Sequence, residues 1–470
     1  MRVAIVGGGV AGLAAAYELE KARRAGAGVE YALLESSPRL GGVISSRIDD
    51  GTVLEHGPDS FLTEKPAAIA LCRELGLGDS LIGSDDSNRK TFILVHNRLV
   101  ALPDGLMFLV PTQLMPTVLT PLFHPVTKLR MGLEWFHRAR TGQEDESVAS
   151  FVRRHYGQAV VDRLADPLLS GIYGGDAEHL SVQSVLPAMV RLEMEYGSLT
   201  RGMMAARRKQ REAARATQPT ATKRTIFTTL RGGLQQLIDA LVAQLEPQSL
   251  HVNAAVQSLE VDALGWRVRF AARATERFDA VILATPAWVA AQLVRGVHGP
   301  LSDELASIPY SSSITANFVL DEATLPTLPP GFGFLVPTVE RRSMLACTFV
   351  HRKFQGRTAP GRVVLRCFAG GMRGEQMLAQ SDAEIAKVLR EELRQILGIT
   401  AEPLVAEVRR WPRSMAQYSV GHAARVRRIR EQANALRNLH LAGNAYDGIG
   451  ISDCIRLGQS AAHALAPIES

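Results

Sequence analysis

At 470 residues the chain is too long for one ordinary hydrophobic core, so two or three subdomains are expected. With 46% hydrophobic and 21% charged residues it is neither disordered nor fibrous, and a net charge of +6 fits an acidic ligand or an anionic surface without demanding nucleic acid. The four cysteines, Cys72, Cys347, Cys367 and Cys454, lack C-x-x-C spacing, which argues for a reducing cytoplasm and against a disulfide framework or a zinc site.

Residues 3–6 read as a short buried strand. Gly7, Gly9 and Gly12 then supply G-x-G-x-x-G, and an Ala-rich helix follows from residue 11 to about 21. Gly7 permits the turn, Gly9 lets backbone approach a pyrophosphate, and Gly12 lets the helix lie on the sheet. A second strand over 31–34 ends at Glu35, twenty-three residues after Gly12, where a carboxylate meets a ribose hydroxyl pair. A dinucleotide site follows from this context. The glycine-broken apolar run at the N-terminus does not read as an export signal, and no stretch reaches ~18 uninterrupted apolar residues, so no spanning helix is expected.

The next residues, Glu35, Arg39, Gly41 and Gly42, form E-x-x-x-R-x-G-G. This resembles the signature of FAD-dependent amine oxidases, phytoene desaturases and protoporphyrinogen oxidases. The resemblance implies that Arg39 and the backbone of Gly41 and Gly42 lie along the FAD phosphates and ribityl chain. It also puts the turn Glu55, His56, Gly57, Pro58 close to the isoalloxazine ring, although spacing alone makes this an ordinary Gly-Pro turn.

Residues 66–75 read as a helix and 91–102 as strands turning at Asn97 and Arg98. From 103 to about 200, proline-punctuated apolar turns and helices, one carrying Lys128, Arg130, Arg138 and Arg140, describe a mainly helical insertion. Its apolar stretch 106–123 suits either interior packing, the commoner use, or contact with a bilayer. Residues 201–224, with Arg207, Arg208, Lys209, Arg211 and Arg215 and no interleaved aromatics, read as a solvated helix or loop and not as a nucleic-acid site. Within 230–245 a helix after Gly232 and Gly233, then strands over 251–256, 266–270 and 278–284, and a helix from Pro286 return the chain to the first domain. Strands over 317–320, 333–336, 344–350 and 363–368 suggest an antiparallel sheet, and 381–397 an amphipathic helix with Asp382 and Glu384 in its first turn. Residues 439–441 read as a last parallel strand; Gly443 opens a turn and a helix starts at Ile451.

The segments ESSPRLGG, GPDSF, ALPDGL, PLLSGIYGGDAEHLSVQSVLP, LRGGLQQL, GFGFLVP, WPRSMAQYSVGH and LAGNAYDGIGISDCI run the length of the chain. Together they resemble the oxygen-dependent protoporphyrinogen oxidases and the bacterial coproporphyrinogen III oxidases of haem biosynthesis. The resemblance implies an α/β fold with a discontinuous Rossmann-type FAD domain (1–66, 225–290, 436–470), an antiparallel-sheet substrate domain (67–90, 291–435) and a mainly helical, membrane-contacting insertion (91–224). It implies FAD held by Gly7, Gly9, Val10, Ala11, Gly12, Glu35, Ser36, Arg39, Gly41, Gly42, Gly57, Pro58, Val256, Trp411, Gly443, Ile449, Gly450 and Ile451, and with no Cys or His in a position to link it the FAD is expected to be non-covalent. The reaction implied is six-electron oxidation of a porphyrinogen, with oxygen as acceptor and hydrogen peroxide formed. The flavin and the tetrapyrrole nitrogens carry the chemistry, so no side chain is assigned as general base and no metal is expected.

Phe332, Gly333, Leu335 and Phe368 match the macrocycle slot, though as apolar strand residues they read equally as core. The plant and animal enzymes carry a propionate-binding arginine where this chain has Thr91, with Arg89, Lys90 and Arg98 as nearby substitutes. That departure bears on whether coproporphyrinogen III, with four propionates, or protoporphyrinogen IX, with two, is oxidised, and the resemblance to bacterial proteins of this kind leans toward the first. A homodimer, contact with a ferrochelatase and a peripheral place at the inner face of the cell membrane are further expectations of the resemblance. The alternatives are a flavin amine oxidase, for which Tyr446 is one facing aromatic without a clear second, and a porphyrin carrier without turnover.

Overall fold

The structure is a computed structural model and describes residues 1–467 except 108, 140, 141, 143, 217–224 and 373. Phe108, Arg140 and the end of the basic segment therefore lie outside the described residues, while Leu199–Ala216 is a helix.

A five-stranded, all-parallel sheet anchors the molecule. Its order is Leu250–His251, Glu30–Leu34, Arg2–Val6, Ala280–Leu283, Leu439–Leu441. These strands are near-continuous apolar runs because helices cover them, among them Val10–Arg24 and Ile451–Leu465, and Val3, Ala4, Ile5 and Ile282 are fully buried. The expected single strand over 251–256 is two: Leu250–His251 joins this sheet, and Val256–Asp262 begins an antiparallel ribbon with Gly265–Phe270 and Glu276–Phe278.

The second sheet has seven strands, ordered Val405–Ala416, Tyr310–Asp321, Arg362–Gly370, Met344–Phe349, Gly333–Leu335, Thr91–Val95, Arg98–Ala101. It is antiparallel except where Gly333–Leu335 meets Thr91–Val95 in parallel, which corrects the expectation of a purely antiparallel sheet. One face, with Phe318, Phe334, Cys347 and Leu365, packs on the helix Asp382–Leu397, whose start is fixed by a Ser381–Glu384 capping box.

Packing moves the expected domain boundaries. Residues 91–101 complete the seven-stranded sheet instead of opening the helical insertion. Ala68 and Leu71 of Pro66–Glu74, Leu301 and Leu305 of Gly299–Ala306, and Val426 and Ile429 of His422–Asn434 all join the parallel-sheet core. The chain changes layers through short loops, so contiguity in sequence was a poor guide. The helical insertion has its own core around Phe151, Tyr156, Leu164 and Leu169 and seats on the second sheet through Ile93.

Candidate active site

The carboxyl ends of the parallel strands carry a cradle of glycine turns and helix starts. Gly7 leaves its strand at φ 108°, and a Cβ there would lie 2.6 Å from the Ala284 carbonyl oxygen. A Cβ on Gly12 would lie 1.9 Å from the Gly7 oxygen, so the helix Val10–Arg24 rests on the turn it follows. Gly9 is the N-cap of that helix and has no side chain to satisfy its first N–H groups, while a Cβ at Gly9 would meet nothing within 4 Å. Free N–H donors beside open space suit a phosphate.

Glu35 closes one side. Its Oε2 accepts the Gly8 N–H at 2.7 Å, its Oε1 accepts the Ser37 N–H at 2.7 Å, and Ser36 Oγ donates to Oε1 at 3.3 Å. A carboxylate keeps further lone pairs for ribose hydroxyls. The Ala254 N–H donates to the main-chain carbonyl oxygen of Glu35 at 2.8 Å, which brings the chain just before Val256 alongside. Gly41 donates its N–H to the Gly8 oxygen at 2.8 Å, and a Cβ on Gly42 would lie 3.2 Å from Gly9 Cα. Arg39 is turned onto its own loop, donating to the carbonyls of Ile44 at 3.0 Å, Leu40 at 3.2 Å and Gly42.

At the other side Gly450 is the N-cap of Ile451–Leu465, and its N–H donates to Asp453 Oδ2 at 3.3 Å. A Cβ on Gly458 would lie 2.1 Å from the Ala11 oxygen, so the two helices touch backbone to backbone. Gly443 takes φ 121°; Ile449 packs on the core and Ile451 is buried in it. The Tyr418 hydroxyl shapes this turn by accepting the Gly448 N–H and donating to the Asn444 oxygen, each at 2.8 Å. Thr285 Oγ1 and the Tyr446 hydroxyl are buried here without partners.

The turn at Gly57 and Pro58 is fastened to the second sheet. Trp411 Nε1 donates to the His56 oxygen at 2.9 Å, Asn317 Nδ2 to the Glu55 oxygen at 2.9 Å, and Thr315 and Arg366 donate to the carbonyls of His56 and Gly57. A Cβ on Gly57 would fall 1.7 Å from the Val43 oxygen. Beneath it Asp59 meets Lys353 at 3.1 Å and Arg366 at 3.4 Å, and the Glu55 carboxylate accepts from the fully buried Arg357. Burial alone would raise the Asp59 carboxyl, but Lys353 and Arg366 outweigh it and hold it well below the carboxylate range. Sequence reasoning missed Thr315, Asn317, Asp59, Lys353, Arg357 and Arg366. The available signal was Arg366, a lone charge inside the apolar strand VVLRCFAG.

Of the expected slot residues, Leu335 and Phe368 fall in one row across the sheet, Leu335–Ala346–Phe368–Thr315, with Gly333, Thr348, Arg366 and Asn317 in the next row on the same face. Thr91 pairs with Gly333, and Phe332 donates its N–H to the Lys90 oxygen. Gly333 takes φ 140°, and a Cβ would strike the Cys347 oxygen at 2.0 Å. Arg98 is not brought to this group. It is exposed on the outermost strand, four strand spacings or roughly 19 Å from the strand of Phe368. The helix Asp166–Tyr173 lies against this face, with a Gly171 Cβ 3.2 Å from Leu335. A cavity of about 430 Å³ opens between that helix and the sheet, bounded by Ser170, Gly174, Val336, Arg341, Leu345 and Gly371.

The family model for flavin containing amine oxidoreductases matches residues 10–466. Coproporphyrinogen III oxidase of Bacillus subtilis is 33% identical over 461 residues, covering 98% of this chain and 96% of that protein. Human protoporphyrinogen oxidase is 32% identical over 483 residues, covering 98% and 97%. A crystal structure from Exiguobacterium sp. 255-15 superposes with a TM-score of 0.86 at 31% identity over 99% of this chain and 98% of that one. Putrescine oxidase, at 18% identity and a TM-score of 0.68, shares the fold. A glycine cradle on a parallel sheet, facing a second sheet and matched along nearly its whole length, places this chain in the flavin containing amine oxidoreductase family.

Proposed function

We propose that the chain is an FAD-dependent porphyrinogen oxidase whose preferred substrate is coproporphyrinogen III. The observation that carries this reading is the similarity to the Bacillus subtilis enzyme of that name over 98% of the chain.

The cofactor is FAD, and the residues fit it on three counts. Gly9 leaves space that a Cβ would fill, the helix start it caps has no side-chain partner for its N–H groups, and Thr285 Oγ1 and the Tyr446 hydroxyl are buried without partners beside the cradle. Gly9, Val10, Ala11 and Gly12 would hold the pyrophosphate with backbone N–H groups, Glu35 the ribose, and Gly41, Gly42 and the 443–451 turn the remainder. Arg39 would serve by shaping the Gly42 loop. When bound, the flavin accepts hydride equivalents from the macrocycle and passes the electrons to molecular oxygen.

The chain's own part is to orient and to keep water out. Leu335, Ala346 and Phe368 form an apolar floor for a flat ring, and Gly333 keeps that floor level. Thr315, Asn317, Trp411 and Arg366 fix the Glu55–Pro58 turn above it, through the carbonyls of Glu55, His56 and Gly57. Arg341, on the cavity wall, is assigned to a substrate propionate, a role that the uncharged Thr91 does not fill.

Among the described residues no helix is long and apolar enough to cross a membrane. A peripheral contact is proposed instead, through Leu119, Val126, Leu129, Leu133 and Phe136, exposed between 57% and 75% beside Lys128 and Arg130. The homodimer and the ferrochelatase contact rest on the family resemblance alone.

The test is porphyrin fluorescence under air, with coproporphyrinogen III and protoporphyrinogen IX supplied in parallel. Faster turnover of the first is expected. Faster turnover of the second would overturn the substrate assignment, and bleaching of the flavin by amines but by neither porphyrinogen would return the chain to the amine oxidases.

A further inference from the structure

Inside the helical insertion, away from both sheets, three side chains from separate segments converge. His155 lies on Val148–Tyr156, His137 directly follows the turn Glu134–Phe136, and Glu193 lies on Pro187–Tyr196. One ligand atom from each falls within 4.8 Å of the others. The His155 side chain is fully buried and that of Glu193 is 5% exposed.

The orientation of His155 is set from behind. Its Nδ1 bonds Glu134 Oε1 at 2.9 Å, and this buried carboxylate also accepts the Leu199 N–H at 2.7 Å, the Ser198 hydroxyl at 2.9 Å and the Thr200 N–H at 3.2 Å. Glu134 is thus a committed acceptor, which makes Nδ1 the protonated nitrogen and turns the Nε2 lone pair toward the cluster. His155 Nε2 lies 3.3 Å from Glu193 Oε1, but outside hydrogen-bonding direction, and both it and His137 Nδ1 are buried without a hydrogen-bond partner. Two buried imidazole nitrogens left unbonded are costly to the fold. The rings lie 4.1 Å apart, and Arg154 pairs with Glu193 and with Glu146 while Arg201 donates to the His137 carbonyl.

We propose that His137, His155 and Glu193 bind one divalent cation, zinc by their ligand chemistry, as a clip joining three segments of the helical insertion. Two imidazoles and a carboxylate are a zinc donor set, and a carboxylate behind a ligating imidazole is its usual support. Zinc bonds of about 2.0–2.1 Å require donors now up to 4.8 Å apart to draw together by up to about 1.5 Å, which His137, half-buried just after a turn, can supply. This departs from the expectation, drawn from the cysteine spacing, that the chain has no zinc site, because the donors here are two imidazoles and a carboxylate. A proton is the competing occupant: burial opposes charge on His155, but Glu134 and Glu193 outweigh it and raise its pKa above the ordinary histidine range.

The test uses the full-length flavoprotein, purified without metal-affinity resin. About one zinc per chain by elemental analysis is expected. After chelation, added Zn²⁺ should raise the melting temperature, and Co²⁺ should give tetrahedral d–d absorption. His137→Ala and Glu193→Gln should each weaken zinc binding tenfold or more while the flavin spectrum is retained, and Glu134→Gln should weaken it about 10–100-fold. Absence of zinc together with no metal-dependent rise in melting temperature would overturn the proposal in favour of a protonated His155. Equal zinc binding by wild type and by folded His137→Ala and Glu193→Gln would also overturn it.

Discussion

At the scale of single residues, the site is defined by atoms that are missing. Gly57 shows it best, since a Cβ there would stand 1.7 Å from the Val43 oxygen, a contact no rotamer relieves. Gly57→Ala therefore has to push apart the turn and the Gly41–Ile44 loop. Overpacking of this kind costs about 1–3 kcal/mol of stability, read as a lower melting temperature of the flavoprotein. An unchanged melting temperature would sink this account. The first-domain glycines were legible because their spacing repeats a known physical task. Gly57 was legible only through resemblance, because a Gly-Pro pair is an ordinary turn signal until the Val43 carbonyl is seen against it. Asp59, Lys353 and Arg366 were not legible at all, because their meaning lies in pairings across roughly 300 residues of chain.

At the scale of elements, the helix His422–Asn434 starts against the C-terminal turn of the cradle. His422 stacks on Tyr418 at 4.0 Å and approaches the Tyr446 oxygen at 3.4 Å. Burial pushes its pKa from 6.5 down to about 4, so the folded chain keeps it neutral where the unfolded chain protonates it. Stability from this group is complete above pH 6.5, falls as pH drops toward 4, and levels off below that; the full loss is roughly 3 kcal/mol at most. His422→Phe keeps the stack and removes the titration, so its melting temperature should decline less than that of wild type between about pH 7 and pH 5. Parallel declines would refute the assignment. Element types were readable from periodicity, as at 381–397, where an apolar stripe and a capping box coincide. Strand partners were not. Nothing in Thr91–Val95 announces that it will lie parallel to Gly333–Leu335, since the sequence between them fixes neither edge nor direction.

At the scale of the whole molecule, the exposed apolar face of the helical insertion is set apart from the cradle and so can be altered without touching it. Leu129→Ser combined with Phe136→Ser removes two of its most exposed side chains. Binding to vesicles containing anionic lipid should fall about tenfold or more by co-sedimentation, with porphyrinogen turnover in detergent unchanged. Equal sedimentation of the variant and wild type would rule this face out as the contact. The sheet order carries a different consequence. The strand Arg2–Val6 stands between Glu30–Leu34 and Ala280–Leu283, and the sheet ends on Leu439–Leu441, whose turn and helix supply the second helix start of the cradle. During synthesis the phosphate turn thus leaves the ribosome long before the wall it needs. A nascent chain has no finished cradle until residues 439–465 have emerged, which makes flavin loading a late event in the life of the polypeptide and leaves the early glycine turn dependent on contacts not yet made.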